Sequence, residues 1–188
     1  MQNKSLVLGL LLLGVFGCAS GDDYFNGTRS RANVWVAPAR PGAAGKVAVM
    51  PFKGQTELIG TSVSDLFVTE VLRSGKYELV ERGQMAKVLS EAELALAGLS
   101  ASRAAEVGNL VGAEGVIIGT VDEYANVAQR GHPYPVVGIT ARMIDCKSGK
   151  VLWSVDLAKR ATGRDVTLPE HARAIVHEMM CGLYQHWR

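Results

Sequence analysis

The sequence predicts an α/β (α+β) domain: a mixed β-sheet flanked by helices, in the order β-α-β-α-α-β-β-β-α, with a closing C-terminal helix. Three observations predict it. Short runs rich in β-branched residues recur along the chain, stretches with apolar residues at helical spacing alternate with the early runs, and Gly or Pro punctuates the junctions.

The first strand is KVAVMPF, Lys46–Phe52, closed by Pro51 at a sheet edge or turn. Thr61 or Ser62 then caps a helix whose Val63, Leu66, Phe67 and Val71 share one face, and Gly75 ends it. Tyr77–Arg82 reads as a second strand. Met85, Val88, Leu89 and Ala92 recur at helical spacing up to Gly98. A third helix runs from about Ser102 to Val111, with Gly112 as its C-terminal stop. Gly115–Ala125 is apolar enough at its start for a buried central strand, and the proline-rich loop that contains QRGHPYP ends it. Val136–Asp145 and Lys150–Arg160 form a hairpin around Lys147-Ser148-Gly149, with Gly placed for positive φ. Thr167 and Glu170 make a capping box for the last helix, which turns Ala172, Ile175, Val176, Met179, Leu183 and Trp187 to one side.

Length and composition agree with one such domain. Of 188 residues, 48% are hydrophobic, 6% aromatic and 20% charged, near the average of soluble globular proteins. That excludes a disordered polyelectrolyte, a collagen-like repeat and a disulfide-framework miniprotein. Lys and Arg total 20 against 18 Asp and Glu, a net charge of +2, which offers no basic stripe for nucleic acid.

The N-terminus has its own logic. Lys4 precedes an apolar run of ten residues, Leu6–Val15, too short for a spanning helix of ~20 residues but right for a signal-peptide core. The run ends in Val15-Phe16-Gly17-Cys18, which resembles the lipobox of bacterial lipoproteins. The resemblance implies cleavage before Cys18, diacylation of its sulfur and acylation of its amine. Ala19, not Asp, then favours the outer membrane, with the protein anchored there and facing the periplasm. An ordinary cleaved secretory signal is the alternative. Residues 1–17 are thus the signal peptide and 18–45 the lipidated cysteine and a flexible tether, in which Val34-Trp35-Val36 can add a short strand. Residues 46–188 are the domain. The 27 residues after Cys18 span ~30 Å as a relaxed coil.

Four stretches carry a family resemblance: VAVMPF, ELVERGQMAKVLSEAEL, GLSASRAAEVGNLVGAEGVIIGTVDEY and GITARMIDCKSGKVLWS. They resemble the CsgG-type superfamily of outer-membrane lipoproteins, to which the curli secretion channel belongs and to which the peptidoglycan synthase activator LpoB is related in fold. The resemblance implies a CsgG/LpoB-like domain from Lys46 to the C-terminus. In the channel, two β-hairpins per subunit cross the outer membrane, and each membrane strand needs ~9–11 residues. Here the matching connections are Asn126–Pro135, ten residues, and Ala161–Thr167, seven residues, so neither is expected to cross and return. An activator of the LpoB kind reaches inner-membrane enzymes on a long disordered segment, and the tether here is shorter.

Catalytic chemistry is sparse. His177-Glu178-Met179-Met180-Cys181 echoes the zinc-protease H-E-x-x-H with Cys in place of the second His, so His177 and Cys181 share a helix face and are the one pair fit for a zinc or thiol enzyme. No third ligand stands nearby, and a buried Cys181 serves equally as a small apolar core residue. Cys146 and Cys181 form a disulfide in the periplasm if the fold brings them together. Phosphate-cradling and nucleophile-elbow motifs are missing. Arg130, His132 and Tyr134, in a turn-rich loop, are the candidate partner contacts, since Arg and aromatics are enriched in binding hot spots. The expectation is therefore a non-enzymatic lipoprotein without cofactor, metal or small-molecule substrate. It would act in envelope assembly or secretion through protein partners or self-association, or else as an activator of a peptidoglycan synthase.

Overall fold

A computed structural model describes residues 31–38, 45–90, 100–129, 131–163 and 165–186. Their elements are β1 (Asn33–Val36), β2 (Lys46–Val49), α1 (Glu57–Ser74), β3 (Glu78–Leu79), α2 (Arg82–Val88), α3 (Ala101–Leu110), β4 (Gly115–Gln129), β5 (His132–Asp145), β6 (Val151–Arg160) and α4 (Leu168–His186). The strands form one six-stranded sheet in the order β1-β6-β5-β4-β2-β3. The β2–β4 and β2–β3 pairs are parallel and the other pairs antiparallel, so the sheet is mixed as the sequence predicts.

Alternation along the strands sends side chains to two separate cores. On one face, Ile117, Ile139, Met143, Trp153 and Val155 meet α1 and α4. On the other, Ala48, Met50, Val116, Ile118 and Ile144 meet α2 and α3. The second pair of helices covers only part of its face. Farther along that face Arg142 is exposed, Thr120, Thr140, Ser154 and Asp156 are half-buried, and Trp35 is 51% exposed.

Several boundaries differ from the sequence reading, each for a local reason. Helix α1 starts before Thr61 and Ser62, because the Thr56 hydroxyl accepts the Ile59 backbone N–H at 3.3 Å and caps the helix there. It ends as expected at Gly75, in the left-handed conformation with φ 63°. The strand expected over Tyr77–Arg82 shrinks to Glu78–Leu79, since only Lys46 and Val47 pair with it. The later part of the helix expected up to Gly98 lies outside the described residues, as does Trp187. Within the stretch read as tether, Asn33–Val36 pairs antiparallel with β6, from Trp153 to Asp156, and extends the sheet. The capping box is present: Thr167 N donates to Glu170 Oε2 at 2.9 Å and Glu170 N to Thr167 Oγ1 at 3.4 Å. These Thr167 hydrogen bonds, backbone first, hold the Glu170 carboxyl below the usual range.

Candidate interaction site

The largest departure lies between β4 and β5. The expected loop Asn126–Pro135 is paired strand: Asn126 faces Pro135, Val127 faces Tyr134, Ala128 faces Pro133 and Gln129 faces His132. The turn is closed at Gly131, whose φ of 78° favours glycine. Proline argues against strand only where its missing N–H is needed for a ladder. Pro133 and Pro135 are two apart and share one side of β5. The Pro135 carbonyl accepts the Ala161 N–H at 2.8 Å, so that side faces β6 and not β4. The ladder to β4 is therefore intact, and the prolines block the other edge of the hairpin.

The hairpin overhangs the sheet. β6 ends at Arg160, opposite Val136. On the other side β2 and Lys53 reach no farther than Thr120 and Val121. The part beyond both neighbours, 126–129 with 132–135, is about 14 Å long at ~3.4 Å per residue, about half the ~30 Å of a bilayer core. The connection from β6 to α4 spans 161–167 and, among its described residues, holds no strand.

On one face of the overhang, Arg160 lies over the Tyr134 ring, 5.5 Å from its centroid, and donates to the Gln129 side-chain carbonyl. Val127 is 42% exposed beside them and His132 is exposed. The structure thus brings His132 and Tyr134 to the hairpin; Arg130 lies outside the described residues. Arg160, which sequence reasoning passed over, joins them through β6, and its only sequence trace is its place as the last strand residue before Ala161.

The other predicted residues sit elsewhere. Cys18 lies outside the described residues. Cys146 and Cys181 are both buried, one in each core with the sheet between them, so strand alternation and helix placement hold apart the two thiols that the sequence offers as a disulfide. Burial, and then the Asp145 carboxylate, push the Cys146 thiol up to about 11. His177 lies in a hydrogen-bonded row between α1 and α4. Its Nδ1 meets Glu70 Oε2 at 3.1 Å, its Nε2 meets Cys181 Sγ at 3.5 Å, and Arg73 Nη1 donates to Glu70 Oε1 at 2.9 Å. A row is not a cage: among the described residues, no three His, Cys, Asp or Glu side chains converge to hold a metal ion. Cys181 has no exposed surface, and the adjoining cleft of about 270 Å³ is lined by Glu70, Arg73, Glu170, Arg173 and His177 without it. A second groove of about 170 Å³ lies between α1, β3 and α2, lined by Val49, Val68, Leu72 and Met85 together with the charged Asp65, Glu81 and Arg82. Both are smaller than the ~300–1,000 Å³ of typical small-molecule sites. No described helix is long and apolar enough to cross a membrane.

Proteins of known structure are similar to this chain. PelC from Paraburkholderia phytofirmans, a dodecamer, is 20% identical; the alignment covers 81% of this chain and 96% of that one, with a TM-score of 0.58. Lipoprotein GNA1162 from Neisseria meningitidis is 19% identical over 71% of this chain and 96% of its own, with a TM-score of 0.55. The LpoB C-terminal domain from Salmonella enterica is 16% identical over 62% and 84%, with a TM-score of 0.48. No curated protein matches the chain. The family described as curli production assembly/transport component CsgG matches residues 39–168, which is most of the sequence and takes in every strand from β2 to β6; the chain belongs to the CsgG family.

Proposed function

We propose that this chain is a non-enzymatic lipoprotein, anchored through acyl groups on Cys18 to the outer membrane and facing the periplasm, that works in envelope assembly or secretion through protein–protein contacts. The observation that carries the reading is a CsgG-family sheet in which the connections matching the channel's membrane hairpins are short. The β4–β5 overhang is about half a bilayer deep and the 161–167 link holds no strand among its described residues, so the domain is read as a docking module and not a pore. The dodecameric state of PelC supports self-association as one form of that contact, and the lipoprotein GNA1162 supports the anchor. Two or three acyl chains at ~0.8 kcal/mol per buried methylene hold a protein on a membrane almost irreversibly, and confinement raises its local concentration.

The test uses the full chain expressed in a diderm bacterium. Wild type is expected to incorporate labelled palmitate, to fractionate with the outer membrane and to elute as a complex after mild detergent extraction. Cys18→Ser is expected to lose the label and accumulate as uncleaved precursor. An unlabelled, freely diffusing wild-type protein overturns the anchor, and a labelled protein that stays monomeric and captures nothing overturns the docking role.

A further inference from the structure

A β-sheet leaves unpaired backbone groups at its edges, and folded proteins blunt such edges by shortness, proline or charge. Other edges here follow that rule. β1 has four residues, β3 has two, and the overhanging part of β5 carries Pro133 and Pro135. The outer edge of β4 does not. From Tyr124 to Gln129 β4 has no proline and no charged residue, and among the described residues no strand pairs with its outer side beyond Val121. Residues of β4 that exchange hydrogen bonds with β5 alternate with residues whose N–H and C=O point outward. Since Pro135 faces away from β4, its partner Asn126 also faces away from β5, together with Tyr124 and Ala128. The outer edge therefore offers Tyr124, Asn126 and Ala128 as backbone donors and acceptors.

We propose that this edge pairs with the same edge of a second copy, antiparallel about a two-fold axis at Asn126. Such an axis stands perpendicular to the sheet, keeps each face continuous across the junction and joins the same patch of both copies, the arrangement of an isologous dimer. Asn126 then opposes Asn126, Tyr124 opposes Ala128, Ala125 opposes Val127, and Glu123 opposes Gln129. Charge selects this register. Glu123 is exposed at one end of the edge, and at the other end Gln129 accepts from Arg160 on the same face. Pairing about Asn126 brings the Glu123 carboxylate of each copy beside the Arg160 guanidinium of the other, twice per dimer. A shift of the axis by one residue, to Ala125, sets Glu123 against Val127 and loses both pairs. The inference stands on sheet geometry and holds whether or not Cys18 carries lipid, so its failure leaves the anchor reading untouched.

Disulfide trapping tests it directly. Residues opposed in a hydrogen-bonded antiparallel pair have Cα atoms about 5.5 Å apart, inside the ~4.4–6.8 Å range that a disulfide bridges. Full-length Asn126→Cys in phospholipid vesicles is expected to give a covalent dimer under mild oxidation, at least five-fold above the parent chain with its own Cys18, Cys146 and Cys181. Glu123→Cys and Gln129→Cys are expected to cross-link when mixed and not alone. Glu123→Arg and Arg160→Glu should each reduce trapping at 126 several-fold, and the two together should restore it. Trapping at 126 no better than in the parent, equal trapping at 123, 126 and 129 alone, or trapping indifferent to the charge changes each overturns the proposal.

Discussion

Glu70 shows what a single residue does for this fold. It is 2% exposed on α1, and its carboxylate is held by Arg73 from the same helix and by His177 from α4. A buried charge persists only with such partners, because desolvation without them costs several kcal/mol. The row Glu70–His177–Cys181 therefore ties the two helices together. Glu70→Ala is expected to destabilise the domain by about 2 kcal/mol, less than the loss for a fully buried pair, because Arg73 is half exposed and can turn to water. Urea unfolding checks this, and an unchanged midpoint would refute it. The two buried thiols give a second expectation at this scale. With Cys146 and Cys181 in separate cores, the unfolding midpoint should be the same with and without dithiothreitol. A drop on reduction would reveal a bridge.

At the scale of elements, close approach matters more than propensity. Helix α3 lies so near the sheet that a Cβ at Gly108 would collide with Val116 Cγ2 and Cys146 Sγ, and Asn109 Nδ2 donates to the Cys146 carbonyl at 3.0 Å beside it. Gly108→Ala should push α3 outward and cost about 2 kcal/mol, in the range of overpacked cores, whereas Gly83→Ala on α2, with open space around its Cβ, should be nearly neutral. Thermal unfolding of the pair separates the two. Elements of this kind were legible where one local signal decides them. The Thr167–Glu170 box, the left-handed Gly75, Gly112 and Gly149, and the apolar face of α4 all stand where the pattern puts them. The β4–β5 overhang was not legible, because two prolines within three residues read as a loop. Only the register shows that both turn their missing N–H away from the ladder. The place of Arg160 in the hairpin was hidden for the same reason: its contacts with Tyr134 and Gln129 cross between strands and leave no local pattern.

At the scale of the whole molecule, the sheet divides the interior in two, and titration shows whether the halves unfold as one. Tyr77 packs against the core under α1 and α4; burial pushes its phenol up to about 12, with the Trp153 hydrogen bond pulling the other way. Cys146 belongs to the opposite core, and its thiol is pushed up to about 11. Both groups are neutral acids that the folded chain protonates more tightly than the unfolded chain does. Their contribution is whole below the unfolded values of 9.0 for the thiol and 10.0 for the phenol, and it is lost as pH rises through the folded ones. Stability should therefore hold level up to about pH 9 with respect to these groups and fall from there to about pH 12, the thiol acting first. Cys146→Ala should delay the onset of that fall toward pH 10, where Tyr77 alone of the two remains to titrate. The decisive comparison is between probes. Tryptophan fluorescence includes Trp153, buried in the core that Cys146 does not touch, while circular dichroism reports helices on both faces. If the six strands make one cooperative unit, removing the thiol shifts the alkaline fall by the same amount in both signals. A shift confined to circular dichroism would mean that the α2–α3 layer comes away while the α1–α4 layer stays folded.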